Sequence, residues 1–324
     1  MKDYKKLKET TKNKYDVDRV YSYSQVKTFE DDPYEYYLKY VVYQKPDIET
    51  QSIYGVLGGI VHDILEKFYK NEIKREDCQK VFESSFKESM LNPNVSNFSS
   101  DKELNISQAT KFQLDIVNYF KRMSKLEGKV MCEEPFSVLL EDSLSKAAFI
   151  GYIDFINFDK DEVKIIDYKT STMYKDSQIK SYSQQLLLYA YAVHQRFGIP
   201  YDKMTVGWNF LKYAKVVSKR DLSEEIIERS KIFDYHDEDY LITDCYVTIR
   251  LSEEMINEFI EDTLVKVRDI EDKIKVYELT HDDSIFNYTL TEDKLFRINN
   301  FCQYSEKYHR PLREYLERCK QNVV

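Results

Sequence analysis

Residues 147–171 read AAFIGYIDFINFDKDEVKIIDYKTS, and the fold turns on how that stretch is read. It is rich in β-branched and aromatic residues, which fit a pleated, half-buried surface. Asp159-Lys160-Asp161 interrupts the run with the polar residues of a turn, so the two halves form a hairpin at the centre of a sheet. Side chains alternate along a strand. Asp154, flanked by Ile153 and Phe155, therefore points away from both. Asp167 and Lys169 lie two apart and share one face, with Tyr168 on the other. Pairing of the two strands gathers two carboxylates and an ammonium on one side of the sheet. An uncompensated carboxylate in so apolar a run would cost several kcal/mol, about the price of any buried charge without a partner, unless a cation balanced it. Hard oxygen ligands on a rigid strand suit Mg²⁺ or Mn²⁺.

On the C-terminal side, 181–198 (SYSQQLLLYAYAVHQRFG) has helical periodicity and ends near Gly198, and 204–219 (MTVGWNFLKYAKVVSK) returns to strand character. Strand, strand, helix, strand is the order of an α/β core. CYVTIRL (245–251) is a further strand, and Ser252 caps a long helix after it. On the N-terminal side, SVLLED (137–142) is a strand and residues 75–128 are helical, broken by the polar LNPNVSNFSS at 91–100. A helix from about Gly58 presents Ile60, Ile64, Leu65 and Phe68, and its glycine-rich start permits close approach of another backbone. Ser22 or Ser24 caps the first of two short helices separated at Asp32-Pro33. Residues 1–20 are polar without periodicity and read as a flexible tail. The expected organisation is one domain over 21–324. Within it, 21–135 is mainly helical, 136–220 holds the sheet, and 221–324 adds a peripheral strand and helices.

Net charge is −9 over 324 residues. Phosphate binding relies on Lys and Arg, but only the local groove must be basic, so this charge does not exclude a nucleic acid. Five scattered cysteines are no disulfide framework, and the opening MKDYKKLKETTKNKYD lacks the apolar core of a signal peptide. With no apolar run long enough for a membrane span, a cytoplasmic protein without membrane contact is expected.

Four segments together resemble the PD-(D/E)XK nuclease superfamily, in particular its RecB-like branch, which includes helicase-nuclease domains and CRISPR-associated exonucleases. Gly59-Ile60-Val61-His62 resembles the motif with a helix-borne metal-binding histidine. Gly151-Tyr152-Ile153-Asp154 and Ile165-Ile166-Asp167-Tyr168-Lys169 resemble the two strand motifs, and Gln185 to Tyr189 the trailing glutamine-tyrosine helix. The resemblance implies a restriction-endonuclease-like α/β fold, a central mixed sheet flanked by helices, with a helical N-terminal part and a long C-terminal helix. It implies a Mg²⁺- or Mn²⁺-dependent deoxyribonuclease. Asp154, Asp167 and Lys169 would be catalytic; His62, Asp154, Asp167 and the Tyr168 carbonyl would hold one or two ions; Gln185 and Tyr189 would contact the substrate. The expected substrate is DNA, single-stranded or with free ends, degraded as an exonuclease in recombination, repair or phage DNA processing, with a recombination or helicase partner. A non-cleaving binding module on the same fold, or an endonuclease using the same site, stays open.

Many RecB-like nucleases also carry an iron–sulfur cluster. Here Asp32 stands at its N-terminal cysteine position and Ser305 where a second C-terminal cysteine is expected after Cys302. No cluster is expected, with aromatic packing around Tyr36, Phe301 and Tyr304 in its place. No GxxxxGK[ST] phosphate loop occurs, so no ATP use is expected.

Overall fold

The computed structural model describes residues 3–160, 162–229 and 231–321, so Asp161 of the expected turn lies outside the described residues. Helix α1 (Tyr4–Tyr15) leads into strand β1 (Val20–Tyr21), then helices α2 (Tyr23–Asp31) and α3 (Pro33–Tyr36). Three longer helices follow, α4 (Ile53–Tyr69), α5 (Arg75–Leu91) and α6 (Lys102–Arg122). Strands β2 (Lys129–Glu141), β3 (Lys146–Asp159) and β4 (Glu162–Lys169) precede helices α7 (Asp176–Tyr182) and α8 (Gln184–Phe197). Strands β5 (Met204–Ser218), β6 (Glu225–Glu228) and β7 (Tyr240–Arg250) are followed by helices α9 (Glu253–Thr280), α10 (Glu292–Phe301) and α11 (Arg310–Gln321). No helix among the described residues is long and apolar enough to cross a membrane.

The chain divides into two compact units. One comprises the residues up to Gln51, Pro135–Gly151 and the residues from Asn257; the other comprises Ser52–Glu134 and Tyr152–Ile256. In the second, β3 and β4 are antiparallel, with Phe155 across from Ile166, and β4 runs parallel to β5. β7 and β6 both pair antiparallel with β5. This mixed sheet is covered on one face by α4, α5 and α6. Leu57, Val61, Leu65, Phe82, Ile116 and Phe120 pack with Phe155, Ile166 and Tyr168 in one continuous core. Each such side chain removed from water stabilises the fold by roughly 1.5–3 kcal/mol. Helix α8 packs against β4 and β5 and ends at Gly198, whose φ of 68° is the left-handed C-terminal conformation that glycine adopts without a Cβ clash.

In the first unit, β1 runs parallel to the start of β3, and Val20, Ala148 and Ile150 form a small core with Leu7 and Tyr15 of α1. The stretch expected as a loose tail is thus helical over Tyr4–Tyr15, with Thr11 buried and its hydroxyl bonded to Ser137 Oγ at 2.9 Å. Polarity alone concealed it, because the apolar positions are few and the helix is held by its partners. Ser22 caps α2 in a capping box with Gln25, as its sequence indicates. Helix α4 starts at Ile53, five residues before the expected start near Gly58, because its glycines are helical and only a β carbon on Gly58, not Gly55 or Gly59, would meet another atom within 4 Å, Thr170 Oγ1 at 3.6 Å. That is ordinary contact, so the expected close backbone approach does not occur there.

The aromatic packing expected around Tyr36, Phe301 and Tyr304 holds for two of the three. Tyr36 and Tyr304 are buried, but Phe301 is 46% exposed. The centre of that region is polar. Fully buried His309 Nε2 donates to Asp32 Oδ2 at 2.8 Å, and Asp32 Oδ1 accepts the Glu35 backbone N–H at 2.9 Å. Cys302, 5% exposed, completes the group.

Candidate active site

Strand β3 carries Asp154 and β4 carries Asp167 and Lys169. The hairpin register pairs Phe155 with Ile166, and one further step along it sets Asp154 across from Asp167. Phe155, Ile166 and Tyr168 belong to the helical core, so alternation directs the two carboxylates and the ammonium away from it. Asp167 is 2% exposed. Its Oδ2 accepts from Lys169 Nζ at 2.6 Å, while its Oδ1 is buried with no hydrogen-bond partner among the described residues. Burial raises the Asp154 carboxyl well above the usual carboxylate range, and the neighbouring Asp167 charge adds to that, partly offset by Lys169. Burial would strip the proton from Lys169, but the charge and hydrogen bond of Asp167, with the charges of Tyr174 and Asp154, together outweigh it and hold the ammonium above its ordinary value.

His62 arrives from α4. Its Nε2 donates to the Tyr168 carbonyl at 2.7 Å, since a carbonyl can only accept, and its Nδ1 lies 4.0 Å from Asp154 Oδ2. One donor atom from each of His62, Asp154 and Asp167 lies within 4.8 Å of the others. An imidazole, two converging carboxylates and an orphaned buried oxygen are the donor set and charge imbalance that a divalent cation relieves, so these residues fit one. The Tyr168 carbonyl, expected as a ligand, here accepts from His62.

Helix α8 supplies Gln185 and Tyr189, one turn apart, and Gln185 Nε2 donates to Tyr189 Oη at 2.7 Å. Burial, and then the charges of Asp154 and Asp167, keep that phenol protonated far above its ordinary range. All seven residues singled out in the sequence therefore fall in one compact unit, around the β3–β4 hairpin. Glu66, one turn beyond His62, pairs with Lys70 at 2.5 Å.

Two contributors escaped the sequence reading. Glu133 on β2 adds negative charge near Asp154 and Tyr189, and it has a backbone φ of 56°, a conformation unusual outside glycine. Tyr174 lies in the charge field of Lys169 and Asp167, stacked on Tyr182 with ring centroids 4.2 Å apart. The Glu-Glu-Pro run at 133–135, which breaks strand alternation, was the available signal for Glu133. Tyr174 had none, because its loop has no period.

A family model described as the PD-(D/E)XK nuclease superfamily matches residues 20–278. A 73-residue stretch is 38% identical to one of the subunits of an ATP-dependent helicase/nuclease from Streptococcus thermophilus, covering 22% of this chain and 6% of that protein's length. Among solved structures, a candidate exonuclease from Eubacterium rectale is 13% identical with a TM-score of 0.38, over 84% of this chain and 90% of that one. The protein SSO0001 is 14% identical with a TM-score of 0.25, over 75% and 84% of the two chains. Neither superposition is close enough to carry an argument. The match across most of the chain, over a mixed sheet that gathers the carboxylates and lysine on one hairpin, makes this chain a member of the PD-(D/E)XK nuclease superfamily.

Proposed function

We propose that this protein is a Mg²⁺- or Mn²⁺-dependent deoxyribonuclease of the RecB-like kind, acting from the ends of single-stranded or end-resected DNA in recombination, repair or phage DNA processing. The observation that carries this reading is the convergence of His62, Asp154 and Asp167 beside Lys169. When bound, a divalent cation lowers the pKa of its water and stabilises the added charge on the scissile phosphate.

The chain's own residues do the rest. Asp154 and Asp167 hold the cation and gain from it, since their mutual repulsion falls when positive charge enters. His62, turned by its bond to the Tyr168 carbonyl, offers Nδ1. Lys169 stays protonated, so it serves as a fixed cation that orients the attacking water and offsets charge developing on the phosphate. Gln185 and Tyr189 hold donors near the carboxylates, where a phosphate oxygen of the strand would lie. A helicase or recombination partner is in keeping with the helicase/nuclease relative, of which this chain spans 6%.

The test is degradation of end-labelled single- and double-stranded DNA beside circular DNA, with Mg²⁺ or Mn²⁺, for the wild type and Asp167→Ala. Metal-dependent loss of linear DNA only, absent in the variant, is the expected result. Cutting of circles would replace the exonuclease by an endonuclease, and DNA binding without cleavage would replace the enzyme by a binding module.

A further inference from the structure

The buried group in the first unit consists of residues from three separate parts of the chain. Asp32 stands between α2 and α3, Cys302 follows α10, and His309 precedes α11. Asp32 and His309 are 0% exposed and Cys302 is 5% exposed. One donor atom from each lies within 4.8 Å of the other two.

Positive charge at this place is thinly spread. The Arg297 guanidinium is shared by Asp31 at 3.6 Å, Asp32 at 3.5 Å and Glu35 at 2.6 Å. Asp31 also has Lys27 at 2.7 Å, whereas of the two buried carboxylates Glu35 takes the short contact to the guanidinium and Asp32 the longer one. The thiol is also poorly used: Cys302 Sγ makes a long contact of 3.7 Å to the Tyr304 carbonyl. His309 is already aimed, because its Nδ1 accepts the Leu312 N–H at 3.2 Å and this turns Nε2 inward onto Asp32. Sulfur, imidazole nitrogen and carboxylate oxygen in one enclosed group form a borderline-soft donor set that suits Zn²⁺ and that Mg²⁺ does not favour.

We infer that Asp32, Cys302 and His309 form a structural site for a single Zn²⁺-like transition-metal ion, distinct in chemistry from the His62–Asp154–Asp167 group. Proton balance is simple. On binding, the Cys302 thiol releases its proton to solvent, and the His309 proton moves from Nε2 to Nδ1 so that Nε2 can coordinate. The bond from Leu312 N–H is given up in exchange for a metal–nitrogen bond. The ion would fasten the segments around α10 and α11 to the α2–α3 corner, a role that Asp32 and His309 fill by a hydrogen bond when it is absent.

The experiment uses the full chain, stripped with chelator, dialysed, and titrated with Co²⁺ as a visible substitute for Zn²⁺. Wild type, Cys302→Ser and Asp167→Ala are compared. The wild type and Asp167→Ala are expected to develop a sulfur-to-cobalt charge-transfer band that Zn²⁺ then quenches. Cys302→Ser is expected to lack the band and to bind Zn²⁺ at least roughly tenfold more weakly. Thiol labelling read by mass spectrometry adds a measurement on the wild type alone, in which Zn²⁺ protects Cys302 and leaves Cys132 unchanged. A wild type without the band, a band that survives in Cys302→Ser, or Cys302 labelling indifferent to Zn²⁺ overturns the assignment.

Discussion

Two buried aspartates, Asp167 and Asp32, differ in almost everything but burial. Asp167 has one oxygen on Lys169 and the other without a hydrogen-bond partner among the described residues, and it faces a second carboxylate. The side chains beside it, His62, Asp154 and Lys169, are 27%, 19% and 28% exposed, so the group is open to a substrate. Both oxygens of Asp32 are engaged, one by the Glu35 N–H and one by His309, and the group is closed. An open site with a deficit of partners can bind and turn over a ligand; a closed one whose members bond to each other holds segments together. The same residue type therefore works against folding in one unit and for it in the other.

The largest expected effect tests the open site. Asp154→Asn should lower DNA cleavage by roughly 10³-fold or more, since it removes a charge that would hold the cation. The same variant should be more stable than the wild type in chelator. A carboxyl whose pKa is raised on folding contributes stability that is present below its unfolded value and lost as pH rises through the folded one, so ionising Asp154 weighs against the metal-free fold. A gain of roughly 1 kcal/mol, about 2–4 °C in melting temperature, would be read by calorimetry. A variant less stable than wild type at neutral pH would break the comparison.

Next is the closed site. His309→Ala removes the cap of α11 and the partner of a buried carboxylate, which should cost about 3–5 kcal/mol by denaturant unfolding, while cleavage by the folded fraction stays near wild type. A loss under about 1 kcal/mol would show that the pair is incidental.

A third prediction concerns acid. Burial alone would raise the Asp32 carboxyl, but the hydrogen bond from His309, the Glu35 N–H and Arg297 together hold it below its usual range. A depressed carboxyl gives stability that is present above its unfolded value and lost as pH falls through the folded one. Chelated wild type should lose this contribution below about pH 4, and Asp32→Asn should show a flatter profile there in pH-dependent denaturation.

The smallest effect sharpens the open site. Tyr189→Phe deletes the acceptor of Gln185 and should cost roughly 1 kcal/mol of stability with about a tenfold loss of turnover on short single strands. An unchanged turnover would remove the pair from substrate contact and leave it as helix packing.

What was legible in the sequence follows from locality. Strand alternation placed Asp154, Asp167 and Lys169 on one face because the period of two is a property of the backbone. The four-residue spacing of Gln185 and Tyr189 made them neighbours for the same reason. Ser22, Gly198 and Ser252 marked helix ends because capping is satisfied within a few residues. Tertiary structure alone decided that His62 meets the Tyr168 carbonyl, 106 positions away, and that Glu133 and Tyr174 enter the same field. It also decided that α1 is helical despite its polarity, and that Asp32 and His309, 277 positions apart, are paired. Periodicity reports which face a residue occupies, not which distant face it will meet, and buried polar groups are matched by partners that only the folded chain brings within hydrogen-bond reach.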